Sequence, residues 1–324
     1  MSDPATPLLE IRGLKTWYPV KKGVFARTVG FVRAVDGVDL TLSRGETLGI
    51  VGESGCGKST LARTVLRLEK PREGSVSLNG QNVLTLRGDA LRAYRRTVQV
   101  VFQDPHASLN PRHTVLDLLT EAMVVHGLAT RENRREAAVR LLSDVGLPGD
   151  VLDRYPLAFS GGQRQRICIA RALSLGPQLL ICDEAVSALD LSVRAQVLNL
   201  LQELKAKHGL SYLFISHDIG VIQHLADRIA VMYLGKIVET GPAETVLQTP
   251  THPYTKLLLS AVPRIGVPLP EDAAPSEAAL SPDPRGCPFA PRCPLAGAAC
   301  LATCPSLQPL ASSTHLCACL KAKP

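Results

Sequence analysis

The stretch GESGCGKST (52–60) constrains this chain more than any other. It follows the apolar run ETLGIVG and precedes KSTLARTVLRL, where apolar residues recur at helical spacing. Gly52, Gly55 and Gly57 let the backbone curl until its N–H groups face inward, and the start of a helix adds partial positive charge. That arrangement fits phosphate oxygens. Lys58 is placed to reach the β- and γ-phosphates of a nucleotide, and the Ser59 hydroxyl to ligate Mg²⁺. Glu53, Ser54, Cys56 and Thr60 complete the cradle, Cys56 as a small residue without chemistry of its own. An ordinary Gly-rich turn would not need a strand before it and Lys-Ser-Thr opening a helix after it.

LLICDE (179–184) supplies the complementary piece. An apolar strand ends in two carboxylates. Asp183 is assigned to Mg²⁺, and Glu184 to orienting and polarising the attacking water. Hydrolysis uses both roles, because the metal neutralises phosphate charge while a second carboxylate aligns the nucleophile. A strand ending in acids is common by itself; beside the glycine loop it indicates a nucleoside triphosphatase.

The pattern around these motifs predicts an α/β fold. LLEIRGL, VRAVDGVDLTLS and ETLGIVG read as strands of an antiparallel β layer feeding a central strand. GSVSLNGQNV reads as a hairpin, and TVQVVFQD, QLLICDE, SYLFISHD and the pair RIAVMYLGKIVETG as further strands. Helices are expected over 58–68, 161–175 and 192–207, which gives a mostly parallel sheet core. TVLDLLTEAMVVHGL and NRREAAVRLLSDVGL carry apolar residues at helical intervals and predict a helical insertion at 111–158. With 324 residues there is enough chain for a large core, and no internal repeat is found.

Other classes are disfavoured by composition. The net charge is +7, but the basic residues are scattered, in short groupings such as RENRREAAVR, and only 4% of residues are aromatic. A solvated basic surface fits better than a nucleic-acid groove. MSDPATPLLEIRG is not a signal peptide, and no run approaches the roughly 18 apolar residues of a membrane span. The expectation is a soluble, cytosolic body in which disulfides are disfavoured.

FSGGQRQRICIARAL (159–173) sets a second group of phosphate-ready N–H groups at a helix start. With it the chain resembles the ATP-binding subunits of ABC transporters, a fold with a P-loop, a RecA-like parallel sheet core, an antiparallel β layer and a helical insertion. In that family two subunits pair head to tail, each signature loop capping the ATP of the other. The resemblance implies that Ser160, Gly161, Gly162 and Gln163 act in trans. It makes Gln103 in VFQDP the Q-loop glutamine, a Mg²⁺ contact and a link to the membrane subunits. Asp190 in SALD is implied as the D-loop residue at the dimer interface, and His217 in FISHD as the switch histidine at the γ-phosphate. Trp17 in LKTWYP aligns with the aromatic that stacks on adenine, with Tyr18 as the fallback. Leu157-Ala158 depart from the His-Glu that relatives often carry before the signature.

VFQDPHASLNPR, DEAVSALDLSVRAQVLNLL, THPYTKLLL and GCPFAPRCP are similar to oligopeptide and dipeptide importers, in particular their second-type ATPase subunit. This implies an ATP hydrolase at the cytoplasmic face of the cell membrane. Its implied partners are two transmembrane permeases, a second, related ATPase subunit and, indirectly, an extracytoplasmic substrate-binding protein; nucleic acid is not among them. Nickel chelates, glutathione and antimicrobial peptides are alternative cargoes of such machines. A soluble ABC ATPase acting on DNA or ribosomes is the alternative class, but such proteins carry a long coiled-coil insertion or two site sets in one chain.

Domain boundaries follow: 1–262 as the nucleotide-binding domain, with a helical subdomain at about 104–170, and 263–324 as a C-terminal extension whose cysteine-rich, apolar-poor end (285–324) is expected to form a separate small unit. The extension opens with a Pro-rich linker and ends in Cys287, Cys293, Cys300, Cys304, Cys317 and Cys319. Relatives carry a similar cysteine set resembling an iron–sulfur site. The resemblance assigns Cys287, Cys293, Cys300 and Cys319 to a [4Fe–4S] cluster. Zinc on the same four thiols is the alternative, although zinc sites more often show closer pairs. Reduced cysteines packing a small fold remain the plain reading, and Cys304 and Cys317 receive no role.

Overall fold

The computed structural model describes residues 7–23, 26–261, 285–310 and 314–322. Most of the Pro-rich linker lies outside the described residues. These residues fall into two units, one drawn from Met1–Leu42, Thr47–Leu84 and Ile215–Pro324, the other from Ser43–Glu46 and Thr85–Phe214.

In the first unit, strands Leu9–Lys22 and Arg27–Leu42 form a long antiparallel pair, with Glu73–Leu78 and then Gln81–Asn82 on the far side of the first. The register sets Leu9 opposite Leu42 and Leu78, and Ile11 opposite Leu40 and Val76, all buried. Alternating apolar residues place them on one face, as a half-covered sheet requires. This is the expected antiparallel layer. The pair runs further than its apolar alternation predicts, through 15–22 and 27–32, where Val20, Val29, Phe31 and Val32 are exposed.

The same unit holds the strand that leads into the glycine loop. Thr47–Val51 is buried throughout and pairs in parallel with Arg228–Tyr233. Lys236–Pro242 continues antiparallel, and Leu316–Cys317 and Gln308–Pro309 extend the edge. The cysteine-rich tail, expected as a separate small unit, is therefore built onto a sheet edge. So apolar-poor a segment cannot bury a core of its own, and pairing with an existing strand satisfies its backbone instead.

Glu239, on that edge strand and 0% exposed, is satisfied by three donors. The backbone N–H groups of Thr251 (2.8 Å) and His252 (3.0 Å) bond its carboxylate, and His315 Nε2 lies 2.8 Å from Oε1. Unpartnered, such a buried carboxylate would be strongly destabilising. His252 Nδ1 in turn accepts the Tyr254 N–H at 3.0 Å.

In the second unit the strand order is Ser211–Ser216, Leu179–Asp183, Val98–Val101, the last two parallel with Val98 beside Leu179 and Val101 beside Cys182. The first two are buried throughout, as continuous apolar runs covered on both faces must be. Helices Gly161–Leu173 and Leu191–His208 lie where helical spacing puts them. Val115–Val125 and Arg134–Asp144 belong to the helical insertion. Thr114 caps the first of these, and the Asp117 carboxylate accepts from Thr114 Oγ1 (2.8 Å) and Arg134 (3.0 Å). Those bonds, Thr114's first, hold the Asp117 carboxyl below its ordinary range. Among the described residues no helix is long and apolar enough to cross a membrane.

Burial lowers the His252 pKa from 6.5 to about 4. The unfolded imidazole takes up its proton first as pH falls. The stability it contributes is complete above pH 6.5 and is lost as pH drops through 4, roughly 3 kcal/mol over that window. His252→Gln should flatten the pH dependence of Tm between 6.5 and 4.5 relative to the parent protein; an unchanged slope would contradict the neutral imidazole.

Candidate nucleotide-binding site

In the first unit, the buried strand Thr47–Val51 hands the chain directly to the loop 52–57, and helix Lys58–Val65 starts at its end. Gly57 caps that helix with φ 111°, a left-handed conformation that side chains resist. A Cβ on it would lie 1.9 Å from the Ala34 carbonyl oxygen. Only glycine fits. The Lys58 side chain is buried, and its ammonium donates to the carbonyls of Gly52 (2.7 Å) and Glu53 (2.9 Å). The loop thus forms a closed ring with the cation inside it. Burial pushes the Cys56 thiol up, so it stays protonated and inert.

Glu53 is held from two sides. Its N–H donates to the Tyr254 hydroxyl at 2.9 Å, and its carboxylate takes both Arg292 nitrogens, at 2.9 and 3.0 Å. Neither Arg292 nor Tyr254 was singled out from the sequence. Both sit in stretches quoted above, THPYTKLLL and GCPFAPRCP, but nothing local joins residues 239 positions apart.

Trp17 is half-buried. Its indole N–H donates to Asp36 at 3.1 Å, and the guanidinium carbons of Arg33 and Arg72 lie 4.7 and 4.8 Å from the ring centre. His217 is exposed, just after Ser211–Ser216 and just before Asp218, which caps helix Ile219–Leu225.

In the second unit, Asp183 is the buried last residue of its strand. Glu184 follows with φ 53°, a strained backbone for a non-glycine residue. Such strain concentrates at functional positions. Gln103, exposed, follows the neighbouring strand Val98–Val101, so glutamine and acids leave the same ends of two parallel strands. Ser160 caps helix Gly161–Leu173 in a reciprocal box: its Oγ accepts the Gln163 N–H (3.3 Å), and Gln163 Oε1 accepts the Ser160 N–H (3.0 Å). A Cβ on Gly162 would come within 2.4 Å of Val193 Cγ1. Exposed Asp190 precedes helix Leu191–His208. In the second unit Gln103 offers an amide oxygen and Asp183 a carboxylate, and in the first Ser59 offers a hydroxyl, each an oxygen donor of the kind Mg²⁺ takes.

The tail thiols are less decisive. Cys287, Cys293, Cys300 and Cys319 line one small cavity with His252 and Phe289. Among the described residues, however, no three His, Cys, Asp or Glu side chains are gathered tightly enough to hold a metal ion. The expectation of a cluster or zinc site finds no formed ligand set here. Cys304 lines a different cavity, of about 790 Å³, to which no residue of 52–60 contributes, and Cys317 is buried on the sheet edge.

A glycine loop on a buried strand, with an acid pair ending a second buried strand, defines a P-loop nucleoside triphosphatase. Comparison with known proteins narrows this. The ABC transporter pattern matches residues 35–187, and the C-terminal region of oligopeptide/dipeptide transporters matches 238–300. The chain is 48% identical to the oligopeptide transport ATP-binding protein AppF of Bacillus subtilis, over 96% of each chain. It is 47% identical to OppF of Salmonella typhimurium, over 98% of this chain and 97% of that one. Among solved structures, the dimeric post-hydrolysis state of the ATP-binding cassette MJ0796 bound to ADP and Pi covers 72% of this chain and 98% of its own, at 29% identity and TM-score 0.64. The chain belongs to the ABC transporter ATP-binding proteins, in the oligopeptide/dipeptide group, and is an ATP hydrolase of that family.

The steric limits at the two glycines give distinct expectations. Gly57→Ala, which no side-chain change can relieve, should weaken MgATP binding by at least about ten-fold, read by equilibrium dialysis. Gly162→Ala should lower Tm, and Val193→Ala should recover the loss. No recovery in the double variant would show that the crowding lies elsewhere.

Proposed function

We propose that this chain is the ATPase subunit of a di- or oligopeptide importer, working at the cytoplasmic face of the membrane. The observation that carries the reading is identity near one half along almost the whole of proteins named for oligopeptide transport, tail included. Two permeases, a second and related ATPase subunit and an extracytoplasmic binding protein complete the machine. The exposed apolar residues Val124, Val125, Tyr155 and Leu157 in and beside the helical insertion support docking by the permeases there.

In this reading Trp17 stacks on adenine, and the loop 52–60 cradles the phosphates with Lys58 at the β- and γ-groups. Ser59, Gln103 and Asp183 hold Mg²⁺, which neutralises phosphate charge when bound. Glu184 orients the attacking water and His217 contacts the γ-phosphate. Ser160, Gly161, Gly162, Gln163 and Asp190 serve the site of the opposing subunit, a reading supported by a similar cassette that is dimeric with ADP and Pi bound. Domain limits of 1–262 and 263–324, with the helical subdomain at about 104–170, go with it. Glu184→Gln should bind ATP, accumulate as a stable ATP-bound pair and lose turnover by a factor of about 10² to 10⁴. Parental turnover from both sites of the assembled transporter would remove Glu184 from this role.

We also propose that the tail thiols bind a thiolate-ligated metal, a [4Fe–4S] cluster before zinc, with Cys287, Cys293, Cys300 and Cys319 closing on it. Support comes from their shared cavity and from the Lys321 N–H, 3.4 Å from the Cys319 sulfur. Burial outweighs the backbone N–H groups at Cys287 and Cys293 and holds both thiols above their ordinary range, so a bound metal would have to supply the charge that favours thiolate. Anaerobically purified protein should be brown and carry iron. Substituting any of those four should bleach it, whereas Cys304 and Cys317 variants should keep the colour. Stoichiometric zinc without iron would replace the cluster, and metal-free anaerobic protein would leave reduced cysteines.

A further inference from the structure

The contact between the tail and the phosphate loop has the form of a working part. Arg292 lies in the turn Ala290–Arg292, directly before Cys293. Its side chain is only 10% exposed, and its fork meets both Glu53 oxygens. Phe289, 1% exposed, fixes the turn from behind: its ring lies 5.3 Å from Tyr233 edge-on, 5.5 Å from Tyr254 and 5.8 Å from His252. Tyr254, itself fully buried, takes the Glu53 N–H, and the Glu53 carbonyl takes the Lys58 ammonium. A continuous set of bonds therefore runs from the tail turn through one residue of the loop to the cation that meets phosphate.

Two physical consequences follow. Held at its N–H, its carbonyl and both carboxylate oxygens, Glu53 cannot drift, and the curl of 52–57 is set before nucleotide arrives. Such preorganisation lowers the ordering cost of binding. The carboxylate also stands beside a site for a highly negative triphosphate, where an unpaired charge would repel it. A bidentate guanidinium removes that repulsion and fixes the geometry together, which a lysine, a point charge, does less well.

We propose that Arg292 is a positioning residue for ATP binding, acting through Glu53, so that the C-terminal extension forms part of the nucleotide site. This rests on the assignment of 52–60 as the ATP loop. The test measures MgATP affinity of the full-length chain by titration calorimetry, with Tm recorded for each variant. Arg292→Ala should weaken binding by about ten- to hundred-fold, as loss of a charged hydrogen-bonded partner does. Arg292→Lys should fall between. Adding Glu53→Gln to Arg292→Ala should recover most of the affinity, because it removes the stranded carboxylate; a merely structural role would give no such rescue. Should Arg292→Ala not fold, Arg292→Gln alone and with Glu53→Gln makes the same comparison. Parental affinity in the Arg292 variants, or no recovery on adding Glu53→Gln, would overturn the proposal alone. ATP binding in the parent that Lys58→Ala leaves untouched would overturn the loop assignment, and this proposal with it.

Discussion

The nucleotide site depends on a loop whose carbonyls curl inward onto one cation, the Lys58 ammonium. Gly57 makes the curl possible, because any side chain there would strike the Ala34 carbonyl. The Lys58 ammonium closes the ring on the carbonyls of Gly52 and Glu53. An unpaired buried ammonium would be costly, and loop carbonyls that turned outward would leave it so. Loop shape and lysine position are thus one constraint met by one set of bonds. The helix Lys58–Val65 grows from it, and the fully buried strand Thr47–Val51 holds it in place.

Around that loop the first unit uses buried polar groups as fixed joints. Glu239 gathers Thr251, His252 and His315, and so ties the edge strand to two later segments of chain. Tyr254 then ties the first of those segments to Glu53, and Arg292 ties the turn Ala290–Arg292 to the same residue. Each joint is tolerable only because every donor and acceptor in it is paired. The aromatic rings of Tyr233, Tyr254 and Phe289 supply the apolar surroundings in which such pairings gain specificity.

Much of the site was legible because its residues are consecutive. Lys58 and Ser59 follow their glycines directly, and Asp183 and Glu184 follow four apolar residues that can only be a covered strand. Helical spacing likewise marked Gly161–Leu173 and Leu191–His208 to within about two residues. The outer half of the hairpin Leu9–Lys22 with Arg27–Leu42 was not legible, since exposed strands carry no apolar alternation. The tail was misjudged as a separate unit. Its poverty in apolar residues was plain, but composition does not say which edge a weak segment will use.

The sequence by itself determined the chemistry: a glycine loop with lysine, an acid pair on a buried strand, a second phosphate-ready helix start and a set of thiols. Those properties live in neighbouring residues, where backbone geometry and side-chain type settle them. Only the tertiary structure decided that Leu316–Cys317 joins the sheet beside Glu239, that four of the tail thiols share a cavity, and that Arg292 reaches Glu53. Such pairings depend on packing between segments far apart in the chain. A hydrogen bond or ion pair across that separation leaves no periodicity or spacing to read.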